Sequence, residues 1–214
     1  MSASVDFILW GSAGHAMVLA DVVHRAGGRI LALFDNNTDA QPVVNGVPLH
    51  IGEVAFHEWL RTLDGDLPAA AVAIGGHRGA DRVAILDMFQ SHGIQIPVLS
   101  HPQASVSPQA HIGGGSQILA QAVVAAGVKL GRGVIINHGA VVDHESILGD
   151  GCHIAPGAVL CGCVELGNNV FIGAGATILP RLHIGANTII GAGSVVTRNI
   201  PADSVAFGTP AKIK

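Results

Sequence analysis

The 214-residue chain is 49% hydrophobic and only 12% charged, carries a formal net charge of −4, and contains 29 Gly but no Tyr. Such a balance excludes a disordered chain, which is charged and poor in aliphatic residues. Lys and Arg total 11 and form no basic run, which gives nucleic-acid binding no support, and no apolar stretch of about 20 residues is long enough to span a bilayer.

Aromatic residues make up 4%, so a core built on large rings is not expected. The N-terminal segment MSASVDFILWG lacks the basic start and the long apolar run of a signal peptide. Cys152, Cys161 and Cys163 are odd in number and clustered, which fits a reducing cytoplasm better than a disulfide framework.

The first hundred residues alternate strand-like and helix-like segments. Val5–Trp10 reads as a strand ended by Gly11, and 14–26 has helical spacing. Arg29–Phe34 is a second strand closed by Asp35, and Glu53–Leu63 a helix. Ala69–Ile74 is a third strand closed by Gly75 and Gly76, Arg78–Ser91 a helix, and Ile96–Leu99 a fourth strand. This order predicts a small α/β domain with a parallel sheet.

From Val106 to Pro201 the chain divides into sixteen hexads whose first residue is always Val, Ile or Leu. The fifth is small or aliphatic throughout. The fourth is Gly in eight hexads and Asn in three, the residues that tolerate positive φ. Pro108, Pro156 and Pro180 all fall at the third position. A turn every six residues between short strands predicts a parallel β-helix with three hexads, or 18 residues, per coil. Its narrow aliphatic interior explains the excess of Gly and the lack of rings.

These hexads resemble the [LIV]-G-x-x-[STAV]-x pattern of the hexapeptide acyltransferases, a resemblance that implies a left-handed coil and acyl transfer. The whole chain resembles one branch, the N-acetyltransferases of nucleotide-linked 4-amino-6-deoxy sugars and the related sialic acid O-acetyltransferases. The residues that carry this are Gly11-Ser12-Ala13-Gly14-His15, Asp35-Asn36, Ile74–His77, Ser100–Pro102, Asp143-His144-Glu145 and Gly208–Lys212. The resemblance implies a Rossmann-like domain over 1–102 that holds the nucleotide sugar, and a β-helix over 103–214. It also implies a homotrimer with each active site between two subunits, acetyl-CoA as co-substrate, and no resident metal.

In the hexad VDHESI, Glu145 takes a corner where Gly or Asn is usual, as Gln109, Gln121, Cys163 and Arg181 also do. A His beside a carboxylate suits the removal of a proton from an amine attacking a thioester. The resemblance makes His144 the general base and Glu145 its tuner, with Asp143 an alternative tuner. It places His153, Ala174, Ala192 and Lys212 against acetyl-CoA, and offers His153 or a backbone N–H as oxyanion donor. Ala13, Gly14, His15, Asp35, Asn36 and Gly75 are the expected nucleotide contacts, with the base open between uracil and guanine, and Asn137 is an expected substrate contact. No two His of the β-helix differ by 18, so none stack on adjacent coils, and no metal cluster of His is expected within one chain. An O-acetyltransferase and a non-enzymatic nucleotide-sensing scaffold are the competing readings.

Overall fold

The computed structural model describes residues 5–214. The first four residues of the segment read as lacking a signal peptide lie outside the described residues. Backbone contacts divide the chain into two units. One runs to Ile74 and resumes over Ala84–Pro97, and the other takes Gly75–Val83 and Val98–Lys214.

The first unit is a four-stranded parallel sheet in the order β3-β2-β1-β4. β1 is Asp6–Trp10, β2 Arg29–Asp35, β3 Leu49–Ile51 and β4 Ala69–Val72, with α1 over Gly14–Arg25 and α2 over Gly52–Leu60. A third helix, α3, runs over Gly79–Ser91. Two expectations are corrected here. The fourth strand is β3, not 96–99: Pro97 has no N–H for a ladder, and it is the carbonyl of Gln95, just before that stretch, that accepts from Ala70 N–H of β4 at 2.8 Å. And this unit does have an aromatic core. Trp10 packs against Phe34, Phe56 and Phe89 with ring centroids 5.7 to 6.1 Å apart. The scarcity of rings belongs to the second unit alone.

The second unit is a parallel β-helix of two-residue strands. Partners along each face lie 18 residues apart, as in Ile135↔His153 and His153↔Phe171. From the second hexad on, the first position points inward, stacking residues such as Val142, Leu160 and Ile178 into one apolar column, while Val106 in the first hexad is exposed. Positive φ recurs at the fourth position, at Gly as expected but also at Gln121, Glu145, Cys163 and Arg181. Gln109 and Asn199, in the first and last hexads, do not adopt it.

Both ends of the repeat differ from the sequence pattern. The coil opens at β5 (Leu99–Ser100), which pairs with Gln117–Ile118, so the expected division at 102/103 falls inside the first coil. Pro102 there sits at a third position like the later prolines. At the other end Ile184 pairs with Ile200 and Ile190 with Ala206, a spacing of 16. The six-residue phase therefore ends with the fifteenth hexad.

The three faces differ in chemistry. One presents His111, Lys129, Ile147, Glu165 and His183 outward, all exposed. The next carries Ile135, His153 and Phe171, of which the first two are buried. The third presents Val123, Val141, Val159, Thr177 and Val195, all half-buried.

Candidate active site

His144 and Glu145 form a corner of the β-helix. The backbone turns there with Glu145 at φ 58°, a conformation that costs a non-Gly residue about 1 kcal/mol or more. Glu145 N–H donates to the carbonyl of Ala126 on the preceding coil, and Cys163 N–H to that of His144. Asp143 lies just beyond its strand, and its Oδ1 accepts the His144 backbone N–H at 2.7 Å. Asp143 thus fixes the turn, while Glu145 faces the ring: Glu145 Oε2 lies 3.2 Å from His144 Nδ1. The imidazole is half exposed, at 52%. With Nδ1–H donated to the carboxylate, the lone pair of Nε2 is left to accept a proton.

The ring lies over Gly162, one coil further on. A Cβ built at Gly162 would fall on His144 Nε2 and 2.6 Å from Cε1. Gly162 is not among the positive-φ residues, so Ala fits its backbone and the conflict is with the ring alone. Gly162→Ala is expected to swing His144 outward, lowering kcat by about 10²-fold, as small misplacements of reacting groups do. KM and thermal midpoint should change little, and a kinetic and melting comparison with the unaltered chain checks this. No sequence reading picked out this glycine, because position three of a hexad accepts many residues.

His153 is buried and fully engaged. Asn137 Oδ1 accepts from His138 N–H at 2.8 Å, which turns the Asn137 amide nitrogen toward His153 Nε2 at 3.1 Å. Nε2 is then an acceptor, and Nδ1–H donates to Gly76 O at 3.2 Å. Phe171 meets the ring edge-on. In this arrangement both ring nitrogens are taken up within the fold, one by Asn137 and one by Gly76. The structure brings Asn137 and His153 together, as the sequence alone could not show.

Ala174 and Ala192 are exposed and stack on the corner after Asn137 and His153, Gly193 N–H donating to Ala174 O at 2.9 Å. Lys212 is exposed on a terminal strand, Ala211–Ile213, opposite Phe207.

In the first unit, Gly11 turns at φ 111°, where a Cβ would meet Ala73 O at 2.6 Å. Ala13 is the N-cap of α1 and no side chain caps the first turn. Ala13 and Gly14 are exposed and His15 is half-buried. Asp35 holds the turn, accepting Ser12 N–H at 2.7 Å and Asn37 N–H at 2.9 Å, while Asn36 is exposed. Ser12, which also donates to Gln41 O, belongs to the Gly11–His15 motif but is not among the expected nucleotide contacts. Gly75 belongs to the second unit.

The second unit also holds a buried cation that the sequence did not announce. Arg82 in α3 is fully buried and donates to Gly133 O at 2.6 Å, Gly151 O at 2.7 Å and Cys152 O at 3.3 Å. Burial lowers the guanidinium to about 10. The adjacent Cys152 thiol is pushed up to about 12 by burial, which makes it an inert core residue.

A β-helix of six-residue repeats with a His–carboxylate pair on one corner and a small α/β unit before it defines a hexapeptide-repeat acyltransferase. The comparisons agree. The bacterial transferase hexapeptide repeat matches residues 109–144, 145–180 and 163–198, and the PglD N-terminal domain matches 6–84. The acetyltransferase domain of PglB from Neisseria gonorrhoeae, solved with acetyl coenzyme A, is 34% identical, with 99% of this chain and 100% of that one covered at a TM-score of 0.87. PerB from Caulobacter crescentus, solved with CoA and GDP-perosamine, is 36% identical over 98% of this chain and 97% of its own, at 0.89. WeeI from Acinetobacter baumannii, at 23% identity over 99% of this chain and 100% of its own, shares the fold with a TM-score of 0.87. No curated protein sequence matches. The chain belongs to the hexapeptide-repeat acetyltransferases with a PglD-type N-terminal domain.

Proposed function

We propose that the chain is an acetyl-CoA-dependent N-acetyltransferase that acetylates the 4-amino group of a UDP- or GDP-linked amino-deoxy sugar. The observation that carries this is the His144–Glu145 corner, with Nδ1 held by the carboxylate at 3.2 Å and Nε2 left as a base. Nε2 takes the proton of the amine as its nitrogen attacks the thioester carbonyl. The tetrahedral intermediate then expels the CoA thiolate, which receives that proton from the imidazolium. The two relatives above one-third identity support the substrate class, one bound to acetyl-CoA and the other to CoA and a GDP-linked amino sugar.

Acetyl-CoA runs past His153, Ala174 and Ala192, meeting backbone at the two alanines, with Lys212 toward its phosphates. Asn137 contacts substrate. The uncapped first turn of α1 suits phosphate, so Ala13, Gly14 and His15 hold the nucleotide with Asp35 and Asn36, and Gly75 is a further contact.

The protein works as a homotrimer. His144 and the Ala174–Ala192 column stand on successive corners of the β-helix, and copies meeting corner to corner would unite them. The outward Val123, Val141, Val159 and Val195 offer an apolar face for that packing. The setting is cytoplasmic glycan biosynthesis. All three cysteines are free thiols, in keeping with a reducing compartment, and no helix among the described residues is long and apolar enough to cross a membrane.

The test is CoA release with 4-amino UDP- and GDP-sugars set against hydroxyl acceptors. Turnover with one of the amino sugars, tied to saturable binding of that nucleotide sugar, is expected. Acetylation of hydroxyls alone would make the chain an O-acetyltransferase, and binding of neither nucleotide sugar would sink the substrate class.

A further inference from the structure

Acetyl transfer leaves Cys163 without a task. It occupies the same corner as Glu145 one coil on, at φ 59°, where Gly would be easier. Its Sγ lies 3.9 Å from Glu145 Oε2, which itself lies 3.2 Å from His144 Nδ1. The three ligating atoms offered by His144, Glu145 and Cys163 all fall within 4.8 Å of one another. Tetrahedral zinc bound through N, O and S at about 2.0–2.3 Å needs its donors about 3.3–3.6 Å apart. His144 and Glu145 are exposed and Cys163 is half-buried, so rotamer adjustment at the surface closes the difference.

We propose that His144, Glu145 and Cys163 form an inhibitory zinc site with a fourth, water-filled position. The donor chemistry points to zinc, since thiolate with imidazole disfavours magnesium and calcium. Cys163 gives up its thiol proton to solvent, and one thiolate and one carboxylate then balance the charge of the ion. The consequence for the base follows from its tautomer. Zinc takes the Nδ1 lone pair, the Nδ1 proton leaves to solvent, and Nε2 takes one up. The ring stays neutral but its proton now sits on Nε2, so it has no lone pair for the amine. Zinc thus blocks the base by occupying the nitrogen that Glu145 otherwise holds.

The inhibitory half rests on His144 being the base, whereas the binding half does not. Cobalt(II), as a spectroscopic stand-in for zinc, is titrated into the full-length chain with no substrate present. A thiolate-to-cobalt charge-transfer band that zinc then bleaches is expected, at one ion per chain. Cys163→Gly, which suits the positive φ and so favours folding, should abolish the band, while Cys161→Ser keeps it. In the acetylation assay Cys163→Gly should retain basal turnover and need at least about 100-fold more zinc for inhibition, the loss that even outer partners of metal ligands can produce. Absence of the band, or its persistence in Cys163→Gly, overturns the site. Binding with the band but unchanged turnover in saturating zinc overturns the inhibition. If the chain acetylates no amino sugar at all, the cobalt titration still decides the site.

Discussion

His144→Ala is expected to lower kcat by about 10²–10⁴-fold, the range that a positioned general base contributes. The loss should fall on kcat, because the ring serves the proton in flight and not the ground-state hold on either substrate. Nucleotide-sugar binding should be unchanged, since His144 is not among the residues proposed to hold the nucleotide. Stability should also hold. The imidazole is half exposed, and the turn beneath it is secured by backbone bonds and by Asp143. Steady-state kinetics, a binding isotherm and a melting curve on the same preparation separate these effects. Turnover equal to that of the unaltered chain would remove the base assignment, and a collapsed melting curve would show a structural role instead.

Arg82→Met should instead be a stability mutant. The thioether chain fills much of the same volume but donates nothing. The carbonyls of Gly133 and Gly151, at equivalent corners of successive coils, would lose the guanidinium that bridges them, as would Cys152 O at the longer distance. Hydrogen bonds from a charged donor contribute about 1.5–3 kcal/mol each, and buried acceptors left unmet carry a penalty of similar size, so a loss of about 3–5 kcal/mol is expected. For a chain of this length that is a fall in Tm of about 10 °C or more. Arg82→Lys keeps the charge but not the planar fork, and should fall between the two. A thermal midpoint within error of the unaltered chain would mean that water replaces the guanidinium without loss.

The contrast between His144 and Arg82 shows where sequence reading stops. His144 announces itself because it stands in a repeat. Its neighbour Glu145 breaks the corner rule, and the rule is visible only because sixteen hexads state it. Cys163 was equally legible as a departure from that rule, and its separation of 18 from Glu145 places it on the next coil, but no resemblance drew attention to it. Arg82 is one arginine in an unremarkable helical stretch. Nothing near it in sequence marks it as buried, since its partners lie 51 to 70 residues away. The strand Leu49–Ile51 was missed for a related reason: three residues between Pro48 and Gly52 are too few to show a period. The aromatic core of the first unit was hidden by averaging, because composition summed two cores of opposite character.

By itself the sequence determined the coil, its corners and the chemical pair on one of them. That is possible because a β-helix is quasi-one-dimensional: each coil touches only its neighbours, so a period along the chain is already a contact pattern in space. The tertiary structure alone decided that the His144 ring lies over Gly162, that Asn137 and Gly76 occupy both nitrogens of His153, and that Arg82 meets the stacked carbonyls of Gly133 and Gly151. Those contacts depend on rotamers and on the close approach of segments that share no period, and neither leaves a mark in the order of residues.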